Sequence, residues 1–439
     1  MTNTPYAPFG WKPKSGGVIL PDERLPLGQT IIIGFQHVVA MFGSTVLAPI
    51  LMGFDPNVAV LFSGVGTLIF FIAVGGHVPS YLGSSFSFIA VVVAATAYAR
   101  QGANANIGIA LGGIIAAGAL YTSIGIVVVL AGHSWVEKLM PPVVTGAVVA
   151  AIGLNLAPVA VKSISANGYD TAIAILTIVA VGMVAVFAPG VWRRIPILIG
   201  GAIVYVIYWM LANGLALGKP IDFARLGAAP WFGTPNFSSP VFDAKAIVLI
   251  APVAVILVAE NLGHVKAVSA MTGRNLDPYL GRAFIGDGIA TMVAASAGGT
   301  GVTTYAENIG VMAVTKVYST LIFVVAALFA ILLGFSPKFG ALILTIPGAV
   351  IGGLSIVVFG LIAATAGRIW VENGVDFSNP SNLLTAGASL VAGAGDLAIE
   401  LGGFTLGGIG TATFGAIILN QLLSGRSREP MTEDGTAVS

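Results

Sequence analysis

Apolar runs of about twenty residues, separated by short polar or Gly/Pro breaks, recur along almost the whole chain, and each is long enough to cross a bilayer as a helix. The clearest are Thr30 to Ile50, Val58 to Val74, Ile107 to Ala131, Val143 to Val161, Ala172 to Phe187, Ile195 to Leu211, Ile247 to Val268, Thr320 to Leu333, Ile346 to Ala364 and Leu383 to Ala398. Shorter or Gly-interrupted ones begin near Tyr81, Phe284, Tyr305 and Gly403. The pattern predicts an all-α polytopic membrane protein of about fourteen transmembrane segments. Residues 1–28 read as an N-terminal segment, 29–215 and 246–424 as two seven-helix halves, 216–245 as the longest extramembrane loop, and 425–439 as a tail.

The halves carry a weak repeat. His37 and His264 are 227 positions apart (264 − 37), Tyr81 and Tyr305 are 224 apart (305 − 81), and Pro141 and Pro347, each opening a similar Gly/Val-rich run, are 206 apart (347 − 141). Halves with an odd number of helices must lie in the membrane with opposite orientation, the arrangement of many secondary transporters. Val78 to Phe88 and Thr300 to Gly310 mix Gly, Ser, Thr and Tyr ahead of an apolar run. They read as extended pieces leading into half-helices in the third and tenth spans. Non-helical backbone at membrane depth survives only inside protein or around a cavity. If the two pieces meet, each satisfies the other's backbone groups, and two half-helix N-termini aim their positive dipole ends at one point, where a substrate is expected.

Composition agrees with a bilayer. The chain is 56% hydrophobic and only 8% charged, against roughly a quarter charged in soluble domains. A net charge of +1 gives no electrostatic case for a nucleic-acid partner, and the absence of cysteine removes disulfides and thiolate chemistry. The N-terminal segment lacks the apolar core of a signal peptide, so the first helix is expected to be retained. With the N-terminus in the cytoplasm, thirteen basic residues fall on that side (Lys12, Lys14, Arg24, Lys138, Arg193, Arg194, Lys266, Arg274, Arg282, Lys316, Arg368, Arg426, Arg428). Six fall on the other: Arg100, Lys162, Lys219, Arg225, Lys245 and Lys338. That surplus favours both termini inside.

Ionisable residues within spans cost about 2.5 to 3.5 kcal/mol each, so they are functional candidates by default. Glu260 and His264 are four apart and share one helix face. Glu307 opens the second half-helix, where the dipole favours a carboxylate. His37 occupies the repeat position of His264, for contact, gating or packing. Asp287, among glycines with no broken helix adjoining it, reads as structural or coupling-related. The plain alternatives are a satisfied helix pair at Glu260 and His264 and an N-cap at Glu307. Two carboxylates repel an anion but accept N–H protons from a flat neutral heterocycle. Half-helix amides would donate to its carbonyls and Phe86 or Tyr305 would stack on its face; uracil has that edge.

The same residues carry a resemblance. ENIGVMAVTK (Glu307 to Lys316) is similar to the signature of the nucleobase–ascorbate transporter family, as are Gln36-His37, AENLGH (Ala259 to His264) and TTYAEN (Thr303 to Asn308). The likeness runs from Pro21 to about Leu423 and is nearest the bacterial uracil and pyrimidine-utilisation permeases. It implies two inverted seven-helix repeats divided between a core and a gate domain, often paired as a homodimer in the bacterial inner membrane. Glu260 and Glu307 would be substrate-binding carboxylates, with His264, beside Glu260, and His37 in proton coupling. Phe86 and Tyr305 would be the aromatic contacts, and Gly83, Ser85 and Ala306 would line the site by backbone. Ala306 stands where uracil permeases resembling this chain can have Gly. The expected activity is proton-coupled symport of uracil or a close pyrimidine or xanthine, with the proton as coupling ion and no cofactor. The alternative is a sulfate- or bicarbonate-type anion carrier on the same architecture. An intramembrane metalloenzyme is disfavoured, because neither H-E-x-x-H nor cysteine occurs.

Overall fold

The computed structural model describes residues 10–99, 102–164, 167–190, 192–401 and 404–424. Arg100, Arg426, Arg428 and Gly403, which entered the charge and span arguments, lie outside them. The principal elements run α1 (Leu27–Met52), α2 (Pro56–Ala73), β1 (Leu82–Ser84), α3 (Ile89–Thr96), α4 (Ile107–Ala131), α5 (Pro142–Ile164), α6 (Gly168–Phe187), α7 (Pro196–Trp209), α8 (Val253–Thr272), α9 (Leu280–Ser296), β2 (Val302–Thr304), α10 (Ala306–Thr315), α11 (Thr320–Gly334), α12 (Gly348–Glu372), α13 (Pro380–Ala394) and α14 (Gly408–Ser424). Eight described helices are long and apolar enough to cross a membrane, or nine if α11 and Pro337–Ile343, bent by 85°, form one span. By that measure the expected number of about fourteen is not reached, since α3, α9, α10, α13 and α14 have 8, 17, 10, 15 and 17 residues.

Local chemistry sets the helix ends. Asp55 accepts from the Asn57 amide at 2.7 Å with Pro56 following it, and Asn379 accepts from the Ser381 amide at 2.9 Å ahead of α13 with Pro380 following, both standard N-terminal devices. The run Ile247 to Val268 is not one helix. It breaks after Ala244–Ile250 and resumes at Val253, where Pro252 has no N–H to continue the hydrogen-bond ladder.

Contacts divide the chain into two units that interleave in sequence, Met1–His133 with Pro158–Val358, and Ser134–Ala157 with Phe359–Ser439. In the first, α4 and α9 pack closely. A Cβ on Gly118 would lie 2.8 Å from the Gly288 carbonyl, and one on Gly125 would lie 2.9 Å from that of Gly281. Small residues thus let two backbones meet, the usual solution where lipid gives no hydrophobic drive to helix association. The outward faces of α4 and α6 carry exposed Val129, Leu130, Ile175 and Phe187, as lipid contact requires. In the second unit Trp370 donates its indole N–H to the Val143 carbonyl at 3.2 Å. Asn155 donates to the Gly393 carbonyl at 2.9 Å and to Asp396 at 3.0 Å. Asp396, held at φ 50, in turn accepts from the Gly408 amide at 3.1 Å, where α14 begins.

Candidate functional site

Strands β1 and β2 pair antiparallel, with Leu82 opposite Thr304, Gly83 opposite Thr303 and Ser84 opposite Val302. All six residues are buried. The ladder is extended at both ends, by the Tyr305 amide donating to the Tyr81 carbonyl at 3.0 Å and the Ser85 amide to the Gly301 carbonyl at 2.9 Å. A two-stranded sheet has two open edges, and a threonine serves each of these. Thr67 of α2 accepts from the Leu82 amide at 2.9 Å, and Thr291 of α9 accepts from the Val302 amide at 3.1 Å and donates to the Val302 carbonyl at 3.0 Å. The strands thereby satisfy the polar backbone that the low dielectric would otherwise penalise.

The register corrects one sequence correspondence. Tyr81 precedes its strand whereas Tyr305 follows its own, so the two are neighbours across the ladder rather than equivalents in a repeat. Their hydroxyls are turned inward. Tyr81 shares a hydrogen bond with Ser63 at 2.8 Å; Tyr305 donates to the Ser84 carbonyl at 2.8 Å and accepts from Thr45 at 3.1 Å. Gly83 lies under the Tyr305 ring, where a Cβ would come within 2.5 Å of it.

Each strand delivers the chain to a helix start. After β1, Ser85 caps a short turn, Phe86–Phe88, by accepting from the Ser87 amide at 3.3 Å, and α3 follows. After β2, α10 begins at Ala306 without a side-chain cap, so the amides of Ala306, Glu307 and Asn308 have no carbonyl within the helix to bond. Ala306 is exposed and Glu307 half-buried, while Asn308 is fully buried. One face of this helix start is open and carries the positive end of the dipole.

Glu307 and Asn308 both reach α1. The Ser44 hydroxyl donates to a Glu307 carboxylate oxygen, and Asn308 donates to the His37 carbonyl at 3.1 Å with its amide 3.0 Å from His37 Nδ1. His37 is fully buried, its ring against Phe323 at 4.7 Å. On α8, Glu260 lies beside the hydroxyls of Ser85 and Ser87 and feels the charge of Glu307. Its Oε2 and the Ser87 Oγ are buried without a hydrogen-bond partner among the described residues. One oxygen of this carboxylate is thus left without a donor among the described residues. Phe86, the first residue of the Phe86–Phe88 turn, is buried, 8% exposed.

Behind Glu260 runs a polar chain. His264 Nδ1 is 2.8 Å from the Thr304 hydroxyl, and Asn261 donates to Asp287 at 2.7 Å and to the Tyr121 hydroxyl at 3.0 Å. Asp287, set apart in sequence for want of an adjoining broken helix, lies instead against Thr303 and Thr304 of β2. The structure therefore brings Ser85, with Phe86 next to it in the chain, beside Glu260, and Glu307 near enough for its charge to act on Glu260, while Ala306 is exposed at the start of α10. His264 and His37 are displaced to the strand side and to α1, and Tyr305 and Gly83 serve as the site's buried footing. Ser44, Thr45 and Ser87 escaped the sequence reading, and Asn261 and Asn308 entered it only as members of the motifs AENLGH and TTYAEN. The polar pair Ser44-Thr45 inside an apolar helix, and an amide directly after each glutamate, were the available signals.

Known proteins resemble this chain in sequence and in fold. Residues 28–401 match the family model Xan_ur_permease, described as Permease family. The chain is 64% identical over 418 residues to RutG of Escherichia coli (strain K12), covering 94% of this chain and 95% of that one. It is 39% identical to the uracil permease of Bacillus caldolyticus (92% and 94% covered) and 37% identical to that of Escherichia coli (strain K12) (91% and 92%). Two solved structures share the fold at low identity. The overall structure of SLC26A9 superimposes with a TM-score of 0.64 at 11% identity over 93% of this chain and 68% of that one. The transmembrane domain of the cyanobacterial bicarbonate transporter BicA does so with 0.61 at 17% over 90% and 97%. The relatives are named as permeases rather than enzymes, and with 374 residues (401 − 28 + 1) inside the family match, this multi-pass membrane protein belongs to the nucleobase–ascorbate transporter family.

Proposed function

We propose that the chain is a proton-coupled symporter that brings uracil, or a closely related pyrimidine or xanthine, into the bacterial cell. The observation that carries this reading is the approach of Glu260 and Glu307, from separate helices, near the open start of α10, with Glu260 Oε2 buried and without a hydrogen-bond partner among the described residues. Ring N–H groups donate to these carboxylates, and first-turn amides of α10 donate to the ring carbonyls. Phe86 forms the apolar wall. Tyr305 acts from beneath, holding Ser84 and Thr45 in place. Two carboxylates in a low-dielectric site repel an anion, which disfavours the sulfate- or bicarbonate-type alternative despite the fold it shares with anion carriers. The uracil permeases among its relatives support the substrate class.

In this reading Glu260 exchanges the coupling proton, with His264 one turn away on the same helix. The surplus of basic residues on one side supports cytoplasmic termini, and the family resemblance supports a homodimer. The test is uptake of labelled uracil by proteoliposomes with the pH gradient and membrane potential imposed separately. An acidic exterior and an inside-negative potential should each drive accumulation, because a neutral substrate moving with a proton carries charge inward. Accumulation with both collapsed and only a sodium gradient present would overturn proton coupling. No binding of any nucleobase would overturn the substrate class.

A further inference from the structure

The segment before α1 is built into the helices that carry the site. Ile19, fully buried, bridges to Val317 just beyond α10. Its amide donates to the Lys316 carbonyl at 3.0 Å, and its carbonyl accepts from the Tyr318 amide at 2.8 Å. The Pro21 carbonyl accepts from both the amide and the hydroxyl of Thr320, each at 3.1 Å. Trp11 donates to that same hydroxyl at 2.9 Å and stacks on Phe71 of α2 at 6.1 Å. Ile19 and Leu25 pack with Val317 and Ile322. Asp22 forms an ion pair with Arg274, just beyond the end of α8, both side chains mostly buried. The segment is stiffened internally by Lys14 with Glu23 at 2.8 Å and by the Lys12 amide on the Asp22 carbonyl at 2.9 Å.

These contacts complete a frame around α10. Its N-terminal end is tied to the middle of α1 through Ser44 and His37. Its C-terminal end, where Lys316 turns the chain at φ 58, is tied to the segment that leads into α1. A ten-residue helix is about 15 Å long and effectively rigid, so movement at Lys316 is passed on to Glu307. We propose that Trp11–Leu25 is a strap that fixes the position of α10, with Ile19, Asp22 and Arg274 as positioning residues for substrate binding through Glu307. The proposal rests on the reading of Glu307 as a substrate acceptor.

The test uses the purified full chain. Asp22→Asn should weaken uracil binding about tenfold, a loss comparable to one charge-assisted hydrogen bond, and should speed hydrogen exchange at the Val311–Thr315 amides. Because the chain has no cysteine, Ile19→Cys with Val317→Cys at the bridge partners introduces a single cysteine pair, and formation of its disulfide is checked by mass before binding is measured. In the Asp22→Asn background, oxidation of that pair should restore binding and reduction with dithiothreitol should remove it again, which a general folding defect would not do. Wild-type affinity in Asp22→Asn, or no recovery in the oxidised triple variant, overturns the strap. Unchanged exchange in Asp22→Asn overturns it independently of any ligand, whereas a wild-type protein that ignores uracil but shows faster exchange in the variant would sink only the substrate reading.

Discussion

The Ser44 hydroxyl donates to a carboxylate oxygen of Glu307, joining two residues 263 positions apart in the chain. The bond orients the carboxylate from one side and leaves its remaining acceptor capacity toward the open start of α10. Glu307→Gln should lower uracil affinity by a factor of ten or more, since an amide loses the charge-assisted bond and the loss is about 1.5 to 3 kcal/mol. Ser44→Ala should have a smaller effect in the same direction. Isothermal titration of the purified variants measures both; wild-type affinity in Glu307→Gln would remove it from the site.

Gly83→Ala should disable the site without touching a carboxylate. The added methyl would sit 2.5 Å from both the Thr45 hydroxyl and the Tyr305 ring, and overpacking of this kind costs about 1 to 3 kcal/mol. Tyr305→Phe keeps the ring but removes the donor to the Ser84 carbonyl. The expected outcome is a lower melting temperature in detergent for both and weaker binding, with the glycine variant more affected.

Asn261→Leu should destabilise the fold. It removes the donor to Asp287, which is wholly buried, and to the Tyr121 hydroxyl, and each buried group left unpaired costs about 1 to 3 kcal/mol. A melting temperature equal to wild type would show that this chain of hydrogen bonds contributes nothing.

Phe86→Ala should weaken binding of uracil and of competing nucleobases alike, because it removes a flat apolar wall and no hydrogen bond. Competition of labelled uracil by a panel of bases checks this. Loss confined to one base would make Phe86 a shape filter instead.

Glu260→Gln should abolish uptake driven by a pH gradient while leaving some exchange of labelled for unlabelled uracil. The amide still accepts a hydrogen bond but has no titrating proton to carry. Concentrative uptake surviving in this variant would place coupling elsewhere.

Much of this architecture is legible in the sequence. The apolar periodicity located most of the long helices to within a few residues, though Ile346 to Ala364 stops eight residues short of the end of α12 at Glu372, and Gly/Ser/Thr content marked the two extended pieces. The break at Pro252 inside an apolar run was visible as a residue but not weighed, since hydrophobicity does not register a missing N–H. The partners of Glu307 and Asp287 were not legible. Ser44, which meets Glu307, lies 263 positions away, Thr303 and Thr304, which meet Asp287, belong to a different element, and period and propensity say nothing about which faces meet. The Tyr81–Tyr305 correspondence failed for a related reason, because equal side chains at similar spacing do not reveal strand register.

The small sheet also has a temporal consequence. Its strands are 220 residues apart in the chain (302 − 82), and at a synthesis rate of about 5 to 20 residues per second, β1 exists for roughly 10 to 45 s before β2 is made. Through that interval the polar backbone of Leu82–Ser84 lacks its main partner, and the half-helices have no common focus. Formation of the site is therefore a late, long-range event in biogenesis, and substitutions that weaken the strand pair should reduce the yield of inserted protein before they reduce the activity of each molecule that folds.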